Sequence, residues 1–188
     1  ANKNPTGRRV TTNDYGSADY YYVNKSSLPK VYGGFNTSLS WKGFDLSAIF
    51  AYSIGGYIYN RDVTMILHNG SLEGRDWSTE ILRRWTPDNR YTDVPALSTT
   101  SNNWNSASTR FLQNNSYMRL KNLTLSYNLP KQWISKLSLS SVQVYVQGDN
   151  LFTIHRNQGL DPEQGITGIT YYRYPAMRTI SGGINVSF

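Results

Sequence analysis

The last ten residues alternate without a break, with Ile180, Gly182, Ile184, Val186 and Phe188 in one phase and Thr179, Ser181, Gly183, Asn185 and Ser187 in the other. Successive side chains of a strand point to opposite faces, whereas a helix repeats every 3.6 residues. The pattern therefore settles only as a strand with one apolar and one polar face. It recurs upstream. Val142, Val144 and Val146 oppose Gln143, Tyr145, Gln147 and Asp149; Phe44, Leu46, Ala48, Phe50, Tyr52 and Ile54 oppose Asp45, Ser47, Ala51 and Ser53. Phe35, Thr37, Leu39 and Trp41 oppose Asn36, Ser38 and Ser40. A fifth run, Tyr117 to Leu129, slips phase between Leu120 and Leu123, which predicts a β-bulge near Lys121-Asn122.

Strands of soluble proteins average five or six residues, but these run to about ten, the length that crosses a bilayer at a tilt. Their only ionisable side chains are Asp45, Arg119, Lys121 and Asp149, and their polar faces are built from Ser, Thr, Asn, Gln and Gly. Such a face suits a water-filled lumen better than bulk solvent. Only 16% of residues are charged, against roughly 25% in an average chain. No apolar run approaches the roughly 18 residues of a membrane helix, and the mean hydropathy is −0.53, so a helical membrane protein is excluded.

Connection lengths alternate. Lys42-Gly43 is a hairpin turn and Pro130 to about Leu139 is short, whereas 1–30, 57–116 and 152–178 are long, polar and rich in Tyr, Asn, Arg and Gly. Short turns at one end and long loops at the other are the arrangement of an outer-membrane barrel. Aromatic residues gather at both ends of the strands: Trp41, Phe44, Tyr127, Trp133 and Phe188 at the short turns, Tyr52, Tyr57, Tyr59, Tyr117 and Phe152 at the loops. Five strands cannot close a barrel, and an open edge in lipid leaves backbone groups unsatisfied. The expected fold is therefore all-β: about five strands of a larger antiparallel transmembrane β-barrel. Residues 1–30 form a loop region and 31–188 the strands, with long loops at about 57–116 and 152–178. The start, Ala1-Asn2-Lys3-Asn4-Pro5, has no apolar leader, which fits a chain whose N-terminal part has been removed.

Enzyme chemistry finds little to work with. There is no cysteine, and His68 and His155 lie outside any HExxH pattern. Neither a Gly-rich phosphate loop nor a GxSxG elbow occurs. Asp161 and Glu163 resemble a carboxylate pair for acid–base work or calcium, but Asp-Pro followed by a solvated Glu reads more simply as a turn. No catalytic residue, metal or cofactor is expected. The net charge of +7 raises nucleic-acid binding. The basic residues are dispersed, however, and the pairs Arg8-Arg9 and Arg83-Arg84 are the only adjacent ones, so nucleic acid is not an expected partner.

The loops offer binding chemistry. Tyr20-Tyr21-Tyr22, Trp104 and Tyr171-Tyr172 are aromatic faces in polar surroundings, with Arg110, Arg156 and Arg173 nearby in sequence. Flat rings stack on sugars or pack peptide side chains, and guanidinium groups hydrogen-bond polar ligands. Tyr21, Trp104, Arg110, Tyr171, Tyr172 and Arg173 are the candidate substrate-binding residues. Helical spacing over Asp76 to Trp85 groups Trp77, Ile81, Leu82 and Trp85 into an expected loop core.

Several segments also match a family pattern in order: Val31-Tyr32-Gly33-Gly34-Phe35, Trp41-Lys42-Gly43-Phe44-Asp45-Leu46, Arg84-Trp85-Thr86-Pro87 and Thr92-Asp93-Val94-Pro95. Tyr117 through Tyr127 with Leu129-Pro130, Asp149-Asn150-Leu151-Phe152-Thr153, Gly159-Leu160-Asp161-Pro162-Glu163 and the final Phe188 follow. From about residue 30 onward the chain resembles the C-terminal region of SusC/RagA-like TonB-dependent outer-membrane transporters of the Bacteroidetes. The resemblance implies a barrel of roughly 22 strands around a plug, in the outer membrane of a Gram-negative cell. It implies uptake of oligosaccharides or peptides, driven by the TonB complex through an N-terminal part not in this chain. Implied partners are a SusD-like surface lipoprotein acting as a lid, the rest of the barrel with its plug, outer-membrane lipid, and the barrel assembly machinery, which would read Phe188. The competing expectation is a secreted, soluble β-sandwich that binds carbohydrate.

Overall fold

The computed structural model describes residues 14–188 except 69, 71, 73, 99–102, 158–160, 164 and 166. Arg8-Arg9, Gly159-Leu160 and the first part of the 1–30 region lie outside the described residues. In chain order the strands are β1 (Val31–Trp41), β2 (Phe44–Ile54), β3 (Tyr57–Asn60), β4 (Leu112–Asn114), β5 (Tyr117–Asn128), β6 (Ser141–His155), β7 (Ile169–Thr170) and β8 (Thr179–Ser187). The helices are α1 (Arg61–Ile66) and α2 (Lys131–Ile134). No helix is long and apolar enough to cross a membrane among the described residues.

The five alternating segments are the five long strands, and they form one sheet in the order β1-β2-β5-β6-β8. All four pairings are antiparallel. Their register keeps the two faces separate from edge to edge. Leu39, Leu46, Leu125, Val146 and Gly182 form one row, and Trp41, Phe44, Tyr127, Val144 and Ile184 the next. On the other face, Ser38, Ser47, Thr124, Gln147 and Ser181 are in register. The pairing shifts between Leu120 and Asn122, stepping over Lys121 on β5, as the phase slip predicts, and over Asn150 and Leu151 on β6. A bulge of this kind puts Lys121 and Asn122 on the same side, so Leu120 and Leu123 both stay on the apolar face.

The hairpin between β1 and β2 is tight because Lys42 and Gly43 both take positive φ, 47° and 88°. That is the signature of a primed two-residue turn, whose twist matches that of the strands. Gly43→Ala is expected to cost about 1–2 kcal/mol through the left-handed conformation alone. Refolding titrations of the variant and the parent check it.

The chain divides into two compact units. The large sheet and its nearby connections make one, from Ser26–Ile58, Asn114–Gly168 and Arg173–Phe188. The other comprises Ala1–Lys25, Tyr59–Gln113 and Ile169–Tyr172. In this loop unit Tyr59 and Asn60 pair in parallel with Ile169 and Thr170. Asn60 caps α1 by accepting the Val63 N–H at 3.1 Å, and Val63, Leu67 and Phe111 form a small core against Tyr59.

The helix expected over Asp76–Trp85 does not form. A 3-10 turn at Thr79–Arg83 is all that appears, with Ile81 buried while Leu82, Trp77 and Trp85 are exposed. Trp77 and Trp85 are therefore not the loop core. The Trp85 N–H bonds to the Val94 carbonyl at 2.8 Å, which draws the backbone out of the helical path. Pro87 also disfavours helix at the residue before it.

Candidate functional site

On the polar face of the large sheet, side chains hydrogen-bond one another along and across the strands. Asp45 accepts from the Ser40 hydroxyl and from Asn128 Nδ2, the latter at 2.7 Å. Asp149 accepts from Asn122 at 2.7 Å and from Gln147 at 3.3 Å, and Asn122 accepts from the Thr124 hydroxyl at 2.9 Å. Gln143 donates to Ser126, and Asn185 to Gln143, both at 3.3 Å. The opposite face carries nothing comparable: Leu39 is 67% exposed and Ile184 64%. Apolar area this continuous is not left to water in a stable protein.

Nearer the loops the polar face carries an ion cluster. Arg119 on β5 is only 3% exposed. Its Nε donates to the Thr153 hydroxyl at 2.9 Å, one terminal nitrogen to Glu163 at 2.8 Å, and the other to Asp161. Lys121 reaches Glu163 Oε1 at 2.6 Å. Asp161 also accepts the backbone N–H of Glu163 at 2.9 Å and of Ala176 at 2.6 Å. Burial pushes the Asp161 carboxyl up. The Ala176 and Glu163 N–H groups and the Arg119 guanidinium outweigh that and hold it below the ordinary carboxylate value. Asp161 and Glu163 do form a turn, the Glu163 N–H bonding Asp161, and Glu163 stays 39% exposed; what the turn reading leaves out is that both carboxylates are also held by cations. The sequence carries a signal for this, since the two cations of an otherwise uncharged strand and the two loop carboxylates are each two residues apart.

The loop candidates fall into two contacts and two single residues. The Arg110 guanidinium lies 3.4 Å from the centre of the Trp104 ring, and the Trp104 indole N–H donates to the Leu67 carbonyl. Burial lowers the Arg110 pKa, with Asp93 and Glu80 acting in the opposite direction. Tyr171 and Tyr172 meet edge to face, their centres 4.9 Å apart. Three further residues fix that pair. Arg61 stands 5.1 Å from the Tyr171 ring, Asp62 accepts the Tyr172 N–H at 2.9 Å, and Arg75 donates to the Tyr172 hydroxyl at 3.4 Å. Sequence reasoning missed Arg61, Asp62 and Arg75, because these contacts span about a hundred residues of chain and leave no local pattern. Tyr21 stands 78% exposed and makes no ring contact among the described residues. Arg173 belongs to the sheet unit, beside Gly165. Phe188 follows β8 and is 91% exposed. Among the described residues, no three His, Asp or Glu side chains converge to hold a metal ion.

A sheet of bilayer-length antiparallel strands, apolar along one face and hydrogen-bonded along the other, is a segment of transmembrane β-barrel wall. Comparison with known proteins narrows the class. No protein-family model matches the chain. It is 34% identical over 166 residues to the TonB-dependent receptor P3 of Formosa agariphila, covering 82% of this chain and 16% of that protein. It is 27% identical over 168 residues to the TonB-dependent receptor SusC of Bacteroides thetaiotaomicron, covering 89% and 16% respectively. The solved RagAB peptide importer in its closed-closed state matches with a TM-score of 0.83 and 35% identity, over 98% of this chain and 20% of that one. The chain is a segment of a SusC/RagA-like TonB-dependent transporter. It spans a sixth to a fifth of the length of these relatives.

Proposed function

We propose that the chain supplies wall and outer loops to a TonB-dependent importer of the Gram-negative outer membrane. The whole protein takes up oligosaccharides or peptides and carries out no bond chemistry. The single observation behind this reading is the separation of faces: the apolar face meets lipid, and the hydrogen-bonded face meets the lumen and what fills it. The long connections, including 57–116 and 152–178, together with 1–30, lie outside the cell. The Trp104–Arg110 and Tyr171–Tyr172 pairs, with Tyr21 and Arg173, face cargo or a SusD-like lid lipoprotein. Exposed tyrosines suit either contact, since they bury large area at little entropic cost. The aromatic ring of Phe188, in the apolar phase of β8, serves barrel assembly.

The soluble sandwich requires a second sheet over the apolar face. The other sheet of the chain has strands of only two to four residues, too short to cover strands of nine to fifteen. The test uses the whole protein in its own cell. Uptake of its cargo is expected to vanish when TonB is removed, with the protein still extracted from outer membranes by detergent alone. Recovery of the whole protein as a monodisperse species in detergent-free buffer overturns the reading.

A further inference from the structure

The short-turn end of the sheet is one-sided in charge. Its lysines are Lys42 in the β1–β2 hairpin and Lys131 and Lys136 in the β5–β6 connection. Acidic residues are missing from 28–44, from 120–148 and from 179–188. The one acidic side chain at this end is Asp45, which is on the polar face and already accepts from Ser40 and Asn128. All three lysines are exposed, and none of them forms an ion pair among the described residues. At the loop end, by contrast, Arg119 and Lys121 are balanced by Asp161 and Glu163. The turns that carry the lysines are stitched into one rim. The Asn128 N–H donates to the Gly43 carbonyl at 2.8 Å, the Leu129 N–H to the Val142 carbonyl at 2.9 Å, and the Ser140 N–H to the Ser187 carbonyl at 2.8 Å.

The rings of the rim tie this charge to the apolar side. The Lys42 ammonium stands 4.9 Å from the centre of the Trp41 ring. Trp41 lies in the apolar phase of β1, in the row with Phe44 and Tyr127, and is 64% exposed. In α2, Ile134 is buried and seats the turn, which leaves Trp133 equally uncovered. Indole rings settle at the depth of lipid headgroups, and there a lipid phosphate comes within reach of an ammonium. Lysine takes phosphate as a compact point charge. A phosphatidylglycerol headgroup offers a phosphodiester whose negative charge is uncompensated. A phosphatidylethanolamine headgroup brings its own ammonium, which cancels the phosphate and meets three unpaired cations. Charge therefore selects the anionic lipid over the zwitterionic one.

We propose that the short-turn rim, through Lys42, Lys131 and Lys136 beside Trp41, binds an anionic glycerophospholipid of the periplasmic leaflet. The leaflet rests on the importer reading, which puts the long loops outside the cell. The test reconstitutes the whole transporter in phosphatidylethanolamine vesicles that carry a trace of photoreactive phosphatidylglycerol or, in a parallel sample, of photoreactive phosphatidylethanolamine. Adducts are counted on the chymotryptic peptides that hold Lys42 and Lys131 to Lys136. The phosphatidylglycerol probe labels them in preference by about tenfold or more. Each single Lys→Gln variant lowers that ratio by up to about fivefold, the value of one lysine near an anionic headgroup. The triple Lys→Gln variant brings the two probes level, and the triple Lys→Arg variant keeps the preference. Glycerophosphoglycerol, the headgroup without its chains, leaves the labelling unchanged. The proposal is overturned if the parent takes both probes equally, if the triple Lys→Gln variant keeps the preference, or if the soluble headgroup displaces the probe. The orientation is read separately, with Ser138→Cys and a bulky, membrane-impermeant maleimide. Labelling in intact cells turns the rim outward and overturns the importer reading together with the lipid site. Labelling only after the outer membrane is permeabilised leaves the importer reading standing, so that failure of the probe experiment then removes the lipid site alone.

Discussion

Leu125→Arg in the whole transporter is expected to destabilise the membrane-inserted barrel by about 2–4 kcal/mol, and Phe44→Arg, at the turn rim, by no more than about 1 kcal/mol. Leu125 lies on the central strand of the sheet, in the row with Leu39, Leu46 and Val146. A guanidinium there must lose its hydration or drag water and headgroups inward, whereas one at the rim reaches the interface by extending its stem. On the polar face, Gln147→Arg is expected to stay within about 0.5 kcal/mol, the range of an ordinary surface change. Denaturant titration of the protein folded into lipid vesicles measures all three. Arginine alone does not separate lipid from a protein core, since both reject it. Leu125→Trp does: a close-packed core is overfilled at a cost of about 1–3 kcal/mol, while fluid hydrocarbon accommodates the ring. A large loss for Leu125→Trp would place protein, not lipid, against this face.

The sheet was legible in the sequence because burial on one side imposes period two on every strand, and nothing else produces it over ten residues. The bulge at Lys121 was legible for the same reason, as the one place where the phase had to slip. A second irregularity was not. Asn150 takes φ 52°, and the pairing of β5 with β6 jumps from Asn122–Asp149 to Leu120–Phe152. Asparagine tolerates that conformation without leaving a mark on the hydrophobic pattern. Helical spacing over Asp76–Trp85 misled because periodicity reports where apolar residues would meet if a helix formed. It carries no account of Trp85 bonding to Val94 or of Pro87. At the candidate site, residue types were readable and their partners were not. Arg110 and Trp104 lie close in sequence, and both stood out. Arg119 and Asp161 are 42 residues apart, and only the folded sheet shows that one strand's cations meet one loop's carboxylates.

Arg119→Leu is expected to cost about 3–5 kcal/mol, the penalty for stripping one partner from a buried ion pair. Asp161, with its side chain 7% exposed, loses its guanidinium partner and keeps the backbone donors of Glu163 and Ala176, and Glu163 keeps Lys121. The strands retain their ladders, so the loss falls on the segment around Asp161 and Ala176. Hydrogen exchange at the Glu163 and Ala176 amides, both bonded to Asp161, reads it directly. Acid provides an independent check. The Asp161 carboxyl is held below its ordinary value in the folded chain, so its contribution is complete above the ordinary carboxylate pKa of about 3.9. The contribution is lost as pH falls through the lower, folded value, because the unfolded segment then binds the proton first. In the parent, protection of the Ala176 amide is expected to hold level from neutral pH to about pH 5 and then fall. In Arg119→Leu it starts lower and falls less steeply, since part of what acid removes has already gone. Equal protection in the two proteins at neutral pH would mean that the segment is held by Asn115, which donates to the Pro162 carbonyl, and by Asn157, which donates to Asn115, with the ion cluster a passenger on a segment already in place.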